Sequence, residues 1–120
     1  MQNSTKQLTD KIIEALQDKR GRNIVSIDLS HLHSSTSQAF VIATGNTPTQ
    51  VSALADNVRE KVQKDLDIKP VNYDGYRNSL WIVIDYGEVM VHIQVPDSRA
   101  FYDIEQLWSD GVINSVADID

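Results

Sequence analysis

The residues of this chain with chemistry to offer are few. They are His92 with Asp85 upstream of it, the carboxylate pair Asp85-x-x-Glu88, the imidazoles of His31-x-His33, and Gly45 within Thr44-Gly45-Asn46-Thr47-Pro48. His92 oriented by Asp85 could act as a general base, but no serine nucleophile stands in a recognisable motif beside it, and a hydrogen-bonded structural histidine is the commoner role. His31 and His33 have a spacing that would bind a metal on a strand, yet they lie in a Ser-rich stretch without a carboxylate neighbour. Asp85 and Glu88 straddle a turn, whereas two carboxylates converging on one cation are better placed at i and i+2 of a strand. Gly45 sits where a strand feeds a helix N-terminus, a place that suits anions. Without a Walker lysine or repeated glycines, a well-capped helix is the simpler reading. The chain has no cysteine, which excludes disulfides, thiolate metal sites and a Cys nucleophile. No catalytic residue, metal ligand or cofactor is therefore assigned.

A binding surface is better supported. Trp81-Ile-Val-Ile-Asp85-Tyr86-Gly87-Glu88-Val89-Met90-Val91-His92-Ile93, with Arg99-Ala-Phe101-Tyr102-Asp103-Ile-Glu105-Gln-Leu107-Trp108 close behind, holds both tryptophans and two of the four tyrosines. Strand alternation points Trp81, Val83 and Asp85 one way and Ile82 and Ile84 the other, and it separates Val89, Val91 and Ile93 from Met90, His92 and Gln94. One face is aliphatic. The other carries Trp81, Asp85, Met90 and His92 if the hairpin register brings the two sets together. An aromatic anchor ringed by polar groups is the composition of a protein-binding hot spot; the alternative is that Trp81 caps the core.

The elements that must position these residues follow from periodicity. At 120 residues, 41% hydrophobic and 23% charged, the chain suits a single globular domain. Leu8, Ile12, Ala15 and Leu16 share one helical face over residues 5–19, with Ser4 and Gln7 as a capping box at its start. Residues 23–29 read as a strand, residues 30–37 as a polar loop, and residues 39–44 as a central strand buried on both faces. Thr47, Pro48 and Gln50 then open a second capped helix, whose face of Val51, Leu54, Ala55, Val58 and Val62 reaches Leu66. A short strand at 71–73 precedes a turn at Asp74-Gly75. Strands at 80–86 and 89–95 pair antiparallel across Gly87-Glu88. Asp97 or Ser98 caps one last helix with Phe101, Ile104, Leu107 and Trp108 on one side, ended by Gly111. The expected architecture is an α/β domain over residues 1–109 in the order α-β-β-α-β-β-β-α. It holds a mixed five-stranded sheet flanked by helices, followed by a short acidic tail at 110–120.

The net charge of −6 disfavours nucleic acid as the direct ligand and favours a basic protein partner. The N-terminal residues have neither the apolar core of a signal peptide nor the Arg-rich character of a transit peptide, and no apolar run reaches membrane-spanning length. No membrane association and a cytoplasmic location are expected.

From about Leu8 to Trp108 the chain resembles the ribosomal silencing factor, or Iojap-like, family. The resemblance is carried by Phe40-Val-Ile-Ala-Thr44-Gly45, by the Trp81 to Ile93 block, and by Arg99-x-Phe101-Tyr102-x-Ile104-Glu105-x-Leu107-Trp108. It implies a translational repressor, not an enzyme. Such a protein binds the L-fourteen protein on the large ribosomal subunit, blocks joining of the small subunit when nutrients are scarce, and forms a homodimer when free. The implied fold is similar to that of nucleotidyltransferases, but the paired carboxylates those enzymes carry after a Gly45-Asn46-like start are absent here. By the same resemblance Trp81 is the anchor against the ribosomal partner, Asp85, Tyr86 and Glu88 supply polar contacts, and His92 lies close by. Asp74, in a turn where relatives carry Glu-Gly, and Met90 are added on position; Arg99 and Tyr102 match the family pattern and could serve the ribosome, a dimer mate or their own fold. Ser37-Gln38-Ala39 departs from an Asp common in relatives. The rival readings are a nucleotide-dependent transferase or phosphohydrolase using Gly45, Asp85 and Glu88, and a factor in large-subunit assembly.

Overall fold

Leu8, Ile12, Ala15 and Leu16 are buried along one side of α1 (Asn3–Asp18), and Val51, Leu54, Ala55, Val58 and Val62 along one side of α2 (Pro48–Leu66). In the computed structural model, which describes residues 3–119, both helices lie on the same face of a six-stranded sheet. The strands are β1 (Arg22–Asp28), β2 (Ala39–Thr44), β3 (Asn72–Asp74), β4 (Trp81–Asp85), β5 (Val89–Gln94) and β6 (Val112–Ser115), in the spatial order β3-β4-β5-β2-β1-β6. Only β2 and β5 run parallel. Every residue of β2 is buried, as its unbroken apolar run requires of a strand covered on both faces.

The junction from β2 to α2 forms as its residue types dictate. Thr47 Oγ1 accepts the Gln50 N–H at 3.1 Å, and Gln50 Oε1 accepts the Asn46 N–H at 2.7 Å, so the box closes one residue further out than its usual form. Gly45 is needed for contact, since a Cβ there would stand 2.8 Å from Val51 Cγ2. Among the described residues no helix is long and apolar enough to cross a membrane.

The structure departs from the sequence reading in three places. Ser4 lies inside α1 and therefore does not cap it. The expected last helix is two, α3 (Pro96–Tyr102) and α4 (Ile104–Leu107). Asp103 breaks it in the left-handed conformation, φ 43°, and its N–H closes α3 on the Arg99 carbonyl at 3.0 Å. Val95, not Asp97 or Ser98, precedes the first turn, with Pro96 at the position where a missing N–H costs nothing. The break turns Ile104 inward while leaving Phe101 and Leu107 in solvent, so the four residues do not share one side.

The third departure is a sixth strand in place of five. It lies in the segment read as an acidic tail, where β6 pairs antiparallel with β1, Ile27 opposite Ile113. Gly111 admits the chain to that edge: a Cβ would meet Ile27 Cγ2 at 2.5 Å. A four-residue stretch in which the apolar pair Val112-Ile113 is followed by Asn114-Ser115, without alternation, is too weak a pattern to announce a strand, and β1 supplies the missing template.

Candidate functional site

Two turns and one register place the candidate residues. Gly87 at φ +83° closes the β4–β5 hairpin, with Asp85 accepting the Gly87 N–H at 2.7 Å. The register sets Trp81 opposite Gln94, Val83 opposite His92 and Asp85 opposite Met90. Trp81, Val83 and Asp85 thus share a face with Met90, His92 and Gln94, on the side away from α1 and α2. Phe40 and Ile42 join them from β2, with Phe40 opposite Met90.

On this face aromatic rings make a continuous series. Phe101 meets Tyr102 edge-on at 5.0 Å between centroids, Tyr102 lies 4.6 Å from Trp81, and Trp81 5.9 Å from His92. Phe40 then packs edge-on against His92 at 5.1 Å and Trp108 at 5.5 Å. Trp81 Nε1–H donates to His92 Nδ1 at 3.1 Å. An indole N–H can only donate, so Nδ1 must be the bare nitrogen and the proton of the neutral ring sits on Nε2. The Trp81 indole is thereby oriented by the histidine beneath it and by Tyr102 beside it.

His92 is 6% exposed, and burial alone pushes its pKa down to about 4. The ring contacts around it are Phe40 and Trp81, which offer no charge to stabilise an imidazolium. Its folded pKa lies below the unfolded value near 6.5, so its contribution is complete above that value and is lost as pH falls toward 4. Between pH 6 and pH 5 the stability of the wild-type protein should drop by about 1 kcal/mol more than that of His92→Asn, whose amide oxygen can still accept from Trp81. Urea unfolding at the two pH values reads the difference; equal drops would mean that His92 titrates normally.

Acidic groups lie on the same face and on α3. Asp74 and Asp85 flank a shallow groove of about 300 Å³ with Asn72, Tyr73, Val83 and Met90. Asp74 is exposed and accepts the Gly75 N–H at 2.8 Å, which holds the turn beside Trp81. Asp97 and Asp103 are exposed on α3 and its C-cap. Arg99, the one basic residue of α3 and α4, is engaged internally. Its Nε and Nη2 each lie 3.2 Å from the Glu105 carboxylate, and Nη1 donates to Thr44 Oγ1 at 2.8 Å. That arrangement ties α3 to α4 and to the end of β2.

Of the residues singled out from sequence, Trp81, Asp85, Met90, Asp74 and Tyr102 come together on the open face, with His92 directly beneath. Two do not. Tyr86 is 7% exposed within the core under the helices, where burial pushes its phenol up to about 12. It follows β4 with the parity of Ile82 and Ile84, which the alternation already contained. Glu88 accepts a hydrogen bond from Thr5 Oγ1 in the first turn of α1, where negative charge is favoured. Its carbonyl also accepts the Gln38 and Ala39 N–H groups at 2.7 and 3.1 Å, so Glu88 pins α1 and β2 to the hairpin.

The nucleotide-site residues are not assembled. Gly45 follows the C-terminal end of β2, while Asp85 pairs with Met90 near the N-terminal end of the parallel strand β5. His31 Nε2 lies 3.2 Å from the Asp110 carbonyl, and no three potential metal ligands gather among the described residues. Sequence reasoning missed Phe40 and Phe101 as members of the aromatic series. In the sequence Phe40 reads as part of a strand buried on both faces, and Phe101 as part of an apolar helix face that the break at Asp103 removes.

The profile of the family described as "Ribosomal silencing factor during starvation" matches residues 2–120. A ribosomal silencing factor from Chromobacterium violaceum is 41% identical over 96 residues, covering 80% of this chain and 77% of that protein. Its counterpart from Halalkalibacterium halodurans is 33% identical over 107 residues, covering 89% and 90%. A crystal structure of a Chromobacterium violaceum protein superimposes with a TM-score of 0.83 at 37% identity, covering 91% of this chain and 88% of that one. The chain belongs to the ribosomal silencing factor family.

Proposed function

We propose that this protein is a translational repressor, a binding module and not an enzyme. In this reading it docks its Trp81 face on the L-fourteen protein of the large ribosomal subunit and blocks joining of the small subunit under nutrient limitation. The observation that carries the reading is the Trp81 indole, partly exposed and held from two sides on a face that also carries Asp74 and Asp85. A fixed aromatic loses little conformational freedom on binding, and an acidic face suits a basic protein embedded in RNA. The relatives, ribosomal silencing factors, support a target on the ribosome. Repression would be steric: a rigid domain on the intersubunit surface needs no chemistry. A homodimer in the free state and a cytoplasmic location accompany this reading.

Sedimentation of the purified protein with isolated large subunits, small subunits and joined ribosomes tests it. Co-migration with large subunits and loss of subunit joining are expected; association with no ribosomal particle would sink the proposal. Raising the salt should slow association by about tenfold or more, because the attraction acts between exposed opposite charges. Stopped-flow rates measured across a salt series check this, and a flat series would remove electrostatic steering from the account.

A further inference from the structure

Phe101 is 81% exposed, an extreme value for a ring that belongs to an otherwise packed aromatic series. Helix α3 has no buried side chain and is held through Arg99, which bridges Thr44 and Glu105. The left-handed residue Asp103 ends it just after Tyr102, fixing the directions in which Phe101 and Tyr102 project. Tyr102, 52% exposed, lies against both Trp81 and Phe101, so the three rings form one contiguous apolar strip. A scattered surface apolar residue needs no explanation, but a continuous strip rimmed by charge marks an interaction surface. The exposed charges of this segment are Asp97, four residues before Phe101 on the same helix face, and Asp103, next to Tyr102 in the chain; Arg99 is neutralised by Glu105, so α3 presents negative charge only.

We infer that Phe101 is a second anchor of the partner surface, and that its occupant is a basic protein whose apolar pocket for Phe101 is flanked by Lys or Arg side chains. The inference rests on the proposed ribosomal docking and extends it from the sheet to α3. Continuity with Trp81 through Tyr102 and the negative charge of α3 favour one extended protein interface over a separate site for a small molecule. Two anchors on independent elements, a strand and a helix, would also set the angle at which the domain sits on its partner, which a single ring cannot do.

The test measures association of the full chain with isolated large subunits for wild type, Phe101→Ala, Phe101→Leu and Trp81→Ala, together with the double variant Asp97→Asn/Asp103→Asn. Phe101→Ala should keep the thermal midpoint of the wild type and weaken association at least tenfold. Phe101→Leu should recover most of the loss, and the double variant should slow association with a shallower salt dependence. Unchanged association in Phe101→Ala beside a clear loss in Trp81→Ala would overturn the second anchor and leave the docking proposal standing. Absence of association by the wild type would remove both.

Discussion

Trp81→Ala is expected to weaken association with large subunits by more than about 2 kcal/mol, roughly thirtyfold, in a protein that still folds. The indole spans a face on which it contacts Tyr102 and His92 and remains partly exposed, so truncation removes contact area that only a partner can fully cover. Some of the effect will be internal. Loss of the Nε1–H leaves His92 Nδ1 buried without its donor, a cost of about 1–3 kcal/mol to stability. Trp81→Phe separates the two contributions: it also removes the donor, but it keeps a ring between Tyr102 and the partner. If Trp81 is the anchor, Trp81→Phe should be destabilised about as much as Trp81→Ala yet retain most of the affinity. Urea unfolding and sedimentation on the same samples give both numbers. Equal affinities for wild type and folded Trp81→Ala would remove Trp81 from the interface.

Much of this face was legible in the sequence because it depends on a period of two. Once β4 and β5 were recognised, alternation placed Trp81 and Asp85 on one side, and the Gly87 turn set the register that added Met90 and His92. The same rule separated Tyr86 from that side, and the family pattern obscured it: a family-matched residue can be there for the core. For Glu88 the family resemblance alone points to a partner contact, whereas its internal partner, Thr5, is distant in sequence. No local pattern pairs them. The break at Asp103 was hidden for a related reason. Phe101, Ile104, Leu107 and Trp108 do fit a helical face, and only tertiary contacts, Arg99 to Glu105 and Thr44 and Ile104 to the sheet, make two short helices preferable. Strand β6 similarly exists because β1 offers a free edge, with Gly111 small enough to pass beside Ile27 and Leu29.

Gly75→Ala should be among the most damaging single substitutions in the chain, destabilising it by about 3 kcal/mol or more, and it should impair association as well. Two independent penalties coincide at this residue. Its φ of +103° lies where a side chain is strained, and a Cβ would stand 2.1 Å from the Trp81 carbonyl oxygen and 3.0 Å from Ile82 Cα. Both contacts are backbone, so no rotamer change relieves them. The chain must move at the start of β4, where Trp81 is held and Ile82 enters the core at 0% exposure. The Asp74 carboxylate, bonded to the Gly75 N–H, belongs to the same turn and would shift with it. Gly87 provides the comparison. Its φ is +83°, but an added Cβ would meet only Val71 Cγ2, at 4.0 Å. Gly87→Ala should therefore cost the backbone penalty alone, about 1–2 kcal/mol, and leave the orientation of Trp81 intact. Unfolding midpoints for the two variants, read beside the position of the Trp81 indole N–H resonance, distinguish strain from collision. If Gly75→Ala and Gly87→Ala lose equal stability, the close approach of the Asp74-Gly75 turn to Trp81 is not what sets the geometry of this face.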